Sequence, residues 1–533
     1  MKTLVILFAS SKSLHIFDVV FAGKSSFDLS LEWAESVKKI TDAETMIFAD
    51  SAIQSECSAA VKASGKTVSC IFEEKWTVSG LFQRFSSAAS EKNCENFLFA
   101  WADQPFINYG ITEKILADHT EYSAEYTFAD GYPEGLCPEA LNAGTCSILA
   151  ELSQTVQKEA GEKPVSRTSV FDLIKTDINS FEIETVLSDE DYRLLRLHFN
   201  CGTKGNMLAC QELFQITGGK TSEFPIEELS EKARASENIL KTVPAYYAVQ
   251  VTDRINVPSI YKPELFEKTD GKTFVALSDF RKLVKKISLF SETAVVSLSA
   301  WGEAACHPDF VEMIRAVLAE PALSVLIETD GLMISEETAR NIQSVVDSVP
   351  ERLSGGDVQE KICWIVTLDA FSPLKYAEVH GGKDMYKAAS DSVAMLEKYF
   401  PGLVYPQFTR MNENETELEG FFRFWSDKNS PSAGKLIVQK YDSFCGMLPD
   451  RKPADLSPLE RNPCWHIRRD MTILLDGSVC FCRSCPEREA VGNAFKEPLE
   501  EIWSRLNGEV KCHMCNTYSK FCEKCDEYYT FNF

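Results

Sequence analysis

The chain has 533 residues and a formal net charge of −24, with 44% hydrophobic and 25% charged residues. That length is enough for roughly three or four domains, and the balance is that of an ordinary globular protein. An acidic excess without a basic stripe argues against nucleic acid as a partner.

The opening MKTLVILFASSKS has some features of a signal peptide, but its apolar run is short and no small-x-small cleavage site follows. Leu4 to Phe8 reads instead as a first buried strand. No apolar run reaches the length of a membrane span, so no membrane partner is expected and the expected location is cytoplasmic.

Through the first 150 residues, TLVILFA, ETMIFAD, KTVSCIF and NFLFAWAD read as strands, and LEWAESVKKI and Ile111 to His119 as helices. Such alternation predicts a mostly parallel sheet covered by helices. Residues 151 to 240 are more polar, with a loop at Gly218-Gly219-Lys220-Thr221, and read as the end of this domain plus a helical connection. NFLFAWADQPFI resembles the strand-then-Asp-x-Pro element of nucleotidyltransferases of GT-A-like fold. In that family the aspartate, here Asp103, binds a metal beside the nucleotide phosphates. The resemblance fails at the first strand, where FASSKSLHIFDVV lacks the glycines that let backbone amides approach phosphate.

From 245 to 445 the alternation resumes. AYYAVQVT, AVVSLSA, LSVLIET, ICWIVTLDA, LVYPQFTR and KLIVQKY read as strands. FRKLVKKISLF, PDFVEMIRAVLAE, ISEETARNIQSVV and MYKAASDSVAMLEKYF read as the helices between them. A run of βα units of this kind builds a full or partial barrel.

The tail beyond residue 446 is rich in cysteine, proline and charge, with one clear helix, PLEEIWSRL, and too few apolar residues to hold without a staple or a metal. Of the chain's 18 cysteines, half fall within its last ninety residues: 445, 464, 480, 482, 485, 512, 515, 522 and 525. The other nine are scattered and read as small buried hydrophobes. In a reducing compartment cysteines are thiols or metal ligands rather than disulfides. The pairs Cys512/Cys515 and Cys522/Cys525 have the CxxC spacing that suits zinc or an iron–sulfur cluster. Upstream, Cys464 precedes a strand-like MTILL, a hairpin signal at Asp476-Gly477, and Cys480, Cys482 and Cys485.

Cys464, Gly477 and Cys482, followed by Cys512, Cys515, Cys522 and Cys525, resemble the SPASM pattern. In that family these ligands hold auxiliary 4Fe–4S clusters appended to radical S-adenosylmethionine (SAM) enzymes that modify peptides. The resemblance implies one 4Fe–4S cluster here, and a second if Cys480 or Cys485 replaces the absent last ligand. Zinc on the four terminal cysteines is the alternative.

The barrel resembles the radical SAM barrel. Ser299-Ala300-Trp301-Gly302-Glu303 is similar to the Gly-Gly-Glu-Pro element that binds the amino group of SAM. His307 to Phe310, Ile327 to Gly331, and Thr367 to Ala370 with Tyr376 and His380 continue the likeness. Where the defining CxxxCxxC should lie, the three cysteine positions are Ile255, Ser259 and Lys262. None is a thiolate, so three irons of a catalytic cluster have no ligands. Radical cleavage of SAM is not expected, nor is SAM binding at Gly302 and Glu303.

The whole chain resembles the spiro-SPASM family. That resemblance divides it into a nucleotidyltransferase-like front (1–240), a partial radical SAM-like barrel (241–445) and a SPASM iron–sulfur domain (446–533), with an overall α/β fold. It implies an iron–sulfur protein without radical chemistry, acting as a scaffold or electron relay for a peptide or partner enzyme. The alternatives are an enzyme using a nucleotide or SAM without radicals, and a structural zinc protein.

Overall fold

The strand Lys2–Ala9 (β1) buries seven consecutive residues, as a strand must when both of its faces are covered. The computed structural model describes residues 2–263, 273–352, 360–454, 457–458, 460–486 and 488–530. The chain divides into two units, the first ending at Thr242 and the second beginning at Val243.

In the first unit β1 is followed by β2 (Asp42–Asp50), β3 (Ser69–Glu73), β4 (Asn96–Trp101), β5 (Tyr126–Asp130), β6 (Glu139–Asn142) and β7 (Ile183–Leu187). They form one sheet in the order β3-β2-β1-β4-β6-β5-β7. Only β6 runs antiparallel to its neighbours, β4 and β5. The first helix, Ser26–Ser36, starts at a capping box in which Ser25 and Asp28 satisfy each other's backbone amides. The Gly218–Thr221 segment lies just beyond the end of helix Lys204–Ile216.

The second unit holds β8 (Tyr246–Val249), β9 (Ala294–Ser297), β10 (Leu323–Thr329), β11 (Ile362–Thr367), β12 (Val404–Arg410) and β13 (Ile437–Lys440). These six pair in chain order, all parallel. A helix lies in every connection, among them Leu277–Ser291, Phe310–Leu318, Glu336–Ser348 and Tyr386–Tyr399. Parallel neighbours require such crossovers.

The tail continues the same sheet. β14 (Asp470–Ile473) pairs parallel with β8, and β15 (Ser478–Cys480) and β16 (Gly492–Asn493) follow antiparallel. The turn between β14 and β15 is the Asp476-Gly477 hairpin. Gly477 sits at φ 87°, and a Cβ there would strike the Phe495 ring and Asn493. The tail is not held by its cysteines alone: Cys464, Ile467, Met471, Leu499, Ile502 and Trp503 belong to the same buried cluster as the barrel's Val296, Ile327 and Trp364. The barrel supplies the apolar partner surface that the tail's own composition lacks. Lys286, on a barrel helix, also donates to the carbonyls of Ala494 (2.8 Å) and Glu497 (3.0 Å). Among the described residues no helix is long and apolar enough to cross a membrane.

Candidate functional site: the barrel mouth and the thiol constellation

Ligands of parallel α/β folds collect at the carboxyl ends of the strands. After β9 the chain turns through Trp301, at φ 60°, into Gly302 and Glu303. A Cβ on Gly302 would overlap the carbonyl oxygen of Thr252, so only glycine lets the two loops meet. Glu303 is buried and already engaged. Its carboxylate accepts from the Thr329 hydroxyl (2.8 Å), the Asp330 amide (2.9 Å) and the Ala305 amide (3.2 Å). Burial, with Asp330 nearby, pushes its pKa up to about 7. The elements that resemble the SAM-binding motifs therefore bind one another.

Across the mouth, Ile255 is exposed and Ser259 lies beside the Tyr261 hydroxyl. Lys262 Nζ reaches Glu328 on β10 at 3.4 Å, and Arg483 of the tail approaches the same carboxylate at 3.6 Å. Tyr261 donates to Asp369 (2.6 Å), whose other oxygen accepts the Thr409 amide (2.6 Å). Where a cluster would need thiolates, the chain carries an ammonium ion paired with a carboxylate. An open pocket of about 90 Å³ lies here, lined by Tyr246, Tyr261, Lys262, Trp301, Glu328 and Arg483 among others.

Every pair among Cys464, Cys482, Cys522 and Cys525 is within electrostatic reach. Burial pushes the Cys464 thiol up to about 12 and Cys522 up to about 11, with the neighbouring thiols adding to it. The amide of Glu527 donates to the Cys525 sulfur at 3.4 Å. Arg461 stacks on Tyr518 (4.0 Å) and Tyr528 (4.5 Å) and donates to the Cys522 carbonyl (2.7 Å), which fixes the chain around the thiols. Thiol sulfurs are the soft donors that an iron–sulfur cluster takes.

The remaining tail cysteines fall elsewhere. Cys480 is buried against Tyr246, Ala248, Trp301 and Leu326, behind the cavity wall. Cys512 and Cys515 are exposed, at the end of helix Asn507–Met514. On that helix Glu509 and His513 bring one oxygen and one ring nitrogen within 4.8 Å of each other and of the Cys522 sulfur. His513 also accepts the Cys464 amide (3.3 Å) through Nδ1.

In the first unit Asp103 is fully buried. It accepts from Ser13 (2.7 Å) and from both guanidinium nitrogens of Arg167 (2.6 and 3.2 Å). Arg167 lies over the Trp101 ring at 4.5 Å and pairs with Glu134 at 3.3 Å. In the loop after β1, Asp50 takes the Ser11 amide (2.6 Å) and the hydroxyls of Ser10 (3.2 Å) and Ser11 (2.8 Å). A carboxylate thus occupies the donors that a triphosphate would need.

Residues 464–526 match the family model of SPASM, the iron–sulfur cluster-binding domain. A protein of Treponema pallidum (strain Nichols), described only as uncharacterized, is 39% identical over 371 residues, covering 68% of this chain and 98% of its own length. This chain belongs to the family of that treponemal protein. Among solved structures, SuiB of Streptococcus suis bound to its precursor peptide SuiA is 12% identical; the match covers 71% of this chain and 84% of SuiB, with a TM-score of 0.40. A cytidylyltransferase from Leptospira borgpetersenii serovar Hardjo-bovis (strain JB197) is 14% identical over 45% of this chain and 97% of its own, with a TM-score of 0.36.

The SPASM reading of the tail is borne out. The sequence reading did not single out Arg167, Glu134, Glu328, Arg483, Glu509 or His513. They are charged residues of ordinary appearance, and no spacing rule connects them. The Asp-Ser-Phe-Cys-Gly stretch at 442–446, directly after the last barrel strand, was visible but carried no ligand assignment.

Proposed function

We propose that this protein carries one 4Fe–4S cluster on Cys464, Cys482, Cys522 and Cys525 and performs no radical SAM chemistry. Its barrel acts as a scaffold or electron relay for a peptide or partner enzyme in the cytoplasm. The carrying observation is the match of residues 464–526 to the iron–sulfur SPASM model, with Cys464 buried and Cys482, Cys522 and Cys525 half-buried within electrostatic reach of one another, in a chain whose barrel mouth pairs Lys262 with Glu328. When bound, the cluster supplies one-electron transfer. The protein's own part is to hold the thiols, exclude water with Tyr518, Tyr528 and Phe481, and present the mouth to a partner. The three-part division at 240 and 445 belongs to this reading. So does a nucleotidyltransferase-like front whose Asp103 is held by Arg167 instead of a metal.

A second reading is favoured by the Glu509, His513 and Cys522 group, whose mixed oxygen, nitrogen and sulfur donors suit zinc. Metal analysis of protein purified without oxygen separates the two. About four irons and four sulfides per chain support the cluster, whereas zinc without iron overturns it. Calorimetric titration with SAM and with nucleoside triphosphates should give no heat, and heat with either would revive an enzyme reading.

A further inference from the structure

Lys262 follows β8 and Arg483 follows β15, more than 200 residues apart in the chain, yet both line the pocket at the barrel mouth. There they share one carboxylate. Lys262 Nζ stands 3.4 Å from one oxygen of Glu328, and the Arg483 guanidinium stands 3.6 Å from the other. Charge-assisted hydrogen bonds run at about 2.7–2.9 Å, so both contacts are loose.

Two further polar groups of the lining residues have nothing to bond. Trp301 is 8% exposed and Thr409 4%, and among the described residues the Trp301 indole nitrogen and the Thr409 hydroxyl have no hydrogen-bond partner. Buried polar groups are normally satisfied, and an unsatisfied one in a pocket calls for a ligand. The lining acceptors, by contrast, are engaged. Asp442 accepts the Phe444 amide at 2.7 Å and is hydrogen-bonded to Ser484. Glu527 accepts the Thr530 hydroxyl at 2.9 Å and pairs with Lys440. Burial pushes both carboxyls up, Glu527 to about 7, which lessens their negative charge. The hydrogen-bonding capacity left over is that of donors, two of them cationic.

We propose that this pocket binds a carboxylate with no ammonium group beside it, received by Lys262 and Arg483 and by the indole N–H of Trp301. The C-terminus of a peptide has that chemistry, and naming a peptide rests on the reading of the barrel as a scaffold. Lys262, at a position where a cluster cysteine is expected, thus gains a binding role. A free α-amino acid, SAM included, would set its ammonium group against two cations, while Glu303 is already engaged by Thr329 and Asp330. A polyanion would meet Glu328, Asp442 and Glu527 in the same lining. Glu328 competes with the ligand for both cations, so its removal is diagnostic.

The test is calorimetric titration of the full chain, purified without oxygen, at low ionic strength. The probes are N-acetyl-glycylglycine, its C-terminal amide, acetate and inorganic phosphate. The acetylated peptide acid should bind saturably and the amide should not. Lys262→Ala should weaken binding about tenfold, the worth of one charge-assisted hydrogen bond. Glu328→Gln, which keeps the shape and removes the competitor, should tighten it by a similar factor. A merely structural role for Glu328 predicts no gain, so this variant decides the matter even if Lys262→Ala fails to fold. Acetate bound as tightly as the peptide acid supports the pocket and overturns the peptide as its ligand. No binding of either acid to wild type and Glu328→Gln, equal binding of the amide, or phosphate bound as tightly as the acids overturns the inference. Iron content of the same samples decides the cluster reading separately.

Discussion

Removing Arg167 is the sharpest test of whether the front unit has a usable carboxylate. Asp103 is 0% exposed and the Arg167 side chain 7%, with guanidinium-to-carboxylate distances of 2.6 and 3.2 Å. In Arg167→Ala, Asp103 keeps only the Ser13 hydroxyl, and Glu134 loses a partner at 3.3 Å. Taking one partner from a buried pair costs about 3–5 kcal/mol, because the other charge is left in a poorly solvating interior. The lost stack on Trp101 adds about 1 kcal/mol. Asp103→Asn keeps the shape and leaves Arg167 with Glu134, so its cost is smaller, about 1–3 kcal/mol. The double variant should be less destabilised than the sum by about 1–3 kcal/mol. Urea unfolding of the full chain, followed by near-ultraviolet circular dichroism, reads this. With a slope of about 3 kcal/mol per molar, a loss of about 4 kcal/mol moves the front unit's midpoint down by more than about 1 M. A shift for Arg167→Ala below about 1 kcal/mol, or strict additivity in the double variant, would refute the reasoning. Asp103 would then be free to take a metal.

Gly302→Ala should destabilise the barrel by about 3 kcal/mol, because the new Cβ overlaps the Thr252 carbonyl oxygen and a backbone must shift. A neutral urea midpoint would show that the two loops are not in contact. The Glu303 pKa of about 7 lies above its ordinary 4.5, so between those values the folded state holds a proton that the unfolded state has released. Wild-type stability should therefore fall as pH rises through that window. In Glu303→Gln the decline should be shallower, and parallel pH profiles for the two proteins would contradict the assignment. Cys464→Ala should strip iron from the protein, whereas Cys512→Ala, at an exposed position, should retain the iron held by the buried thiols. Equal loss from both variants would move the site to the terminal pairs.

Regular alternation made the barrel legible. Each of its six parallel strands overlaps a run of apolar residues, and LSVLIET at 323–329 coincides with β10 residue for residue. The Asp476-Gly477 hairpin was legible for a different reason: that turn demands a residue at positive φ. The support of the tail was not legible. Its apolar residues look too few until β14 joins the barrel sheet beside β8, and no local pattern announces a strand that pairs across more than 200 residues of chain. The site divides in the same way. Cysteine spacing marks Cys464, Cys482, Cys522 and Cys525. It also marks Cys512 and Cys515, which the fold leaves exposed, because spacing records what one turn can bring together and says nothing about which way the turn faces. Nor did the scattered cysteines all prove solitary: Cys57 touches Cys70, and Cys201 touches Cys210.

The burial of the thiols sets the terms on which they bind a metal. Desolvation holds Cys464 near 12, Cys522 near 11 and Cys482 well above the ordinary range, so at neutral pH these three are uncharged. Only thiolates ligate. Each metal–sulfur bond must therefore release a proton, and the charge of the incoming ion has to outweigh the desolvation that kept the proton in place. A single thiolate formed alone in this setting would be an unpaired buried charge, which favours filling the site all at once. Iron uptake by the metal-free protein should accordingly release protons and strengthen as pH is raised from 7 to 9. Titration with ferrous iron alone at those two values, with proton release followed by an indicator, measures both without the protons that hydrosulfide would add. Uptake independent of pH and without proton release would mean that the buried thiols are not the ligands.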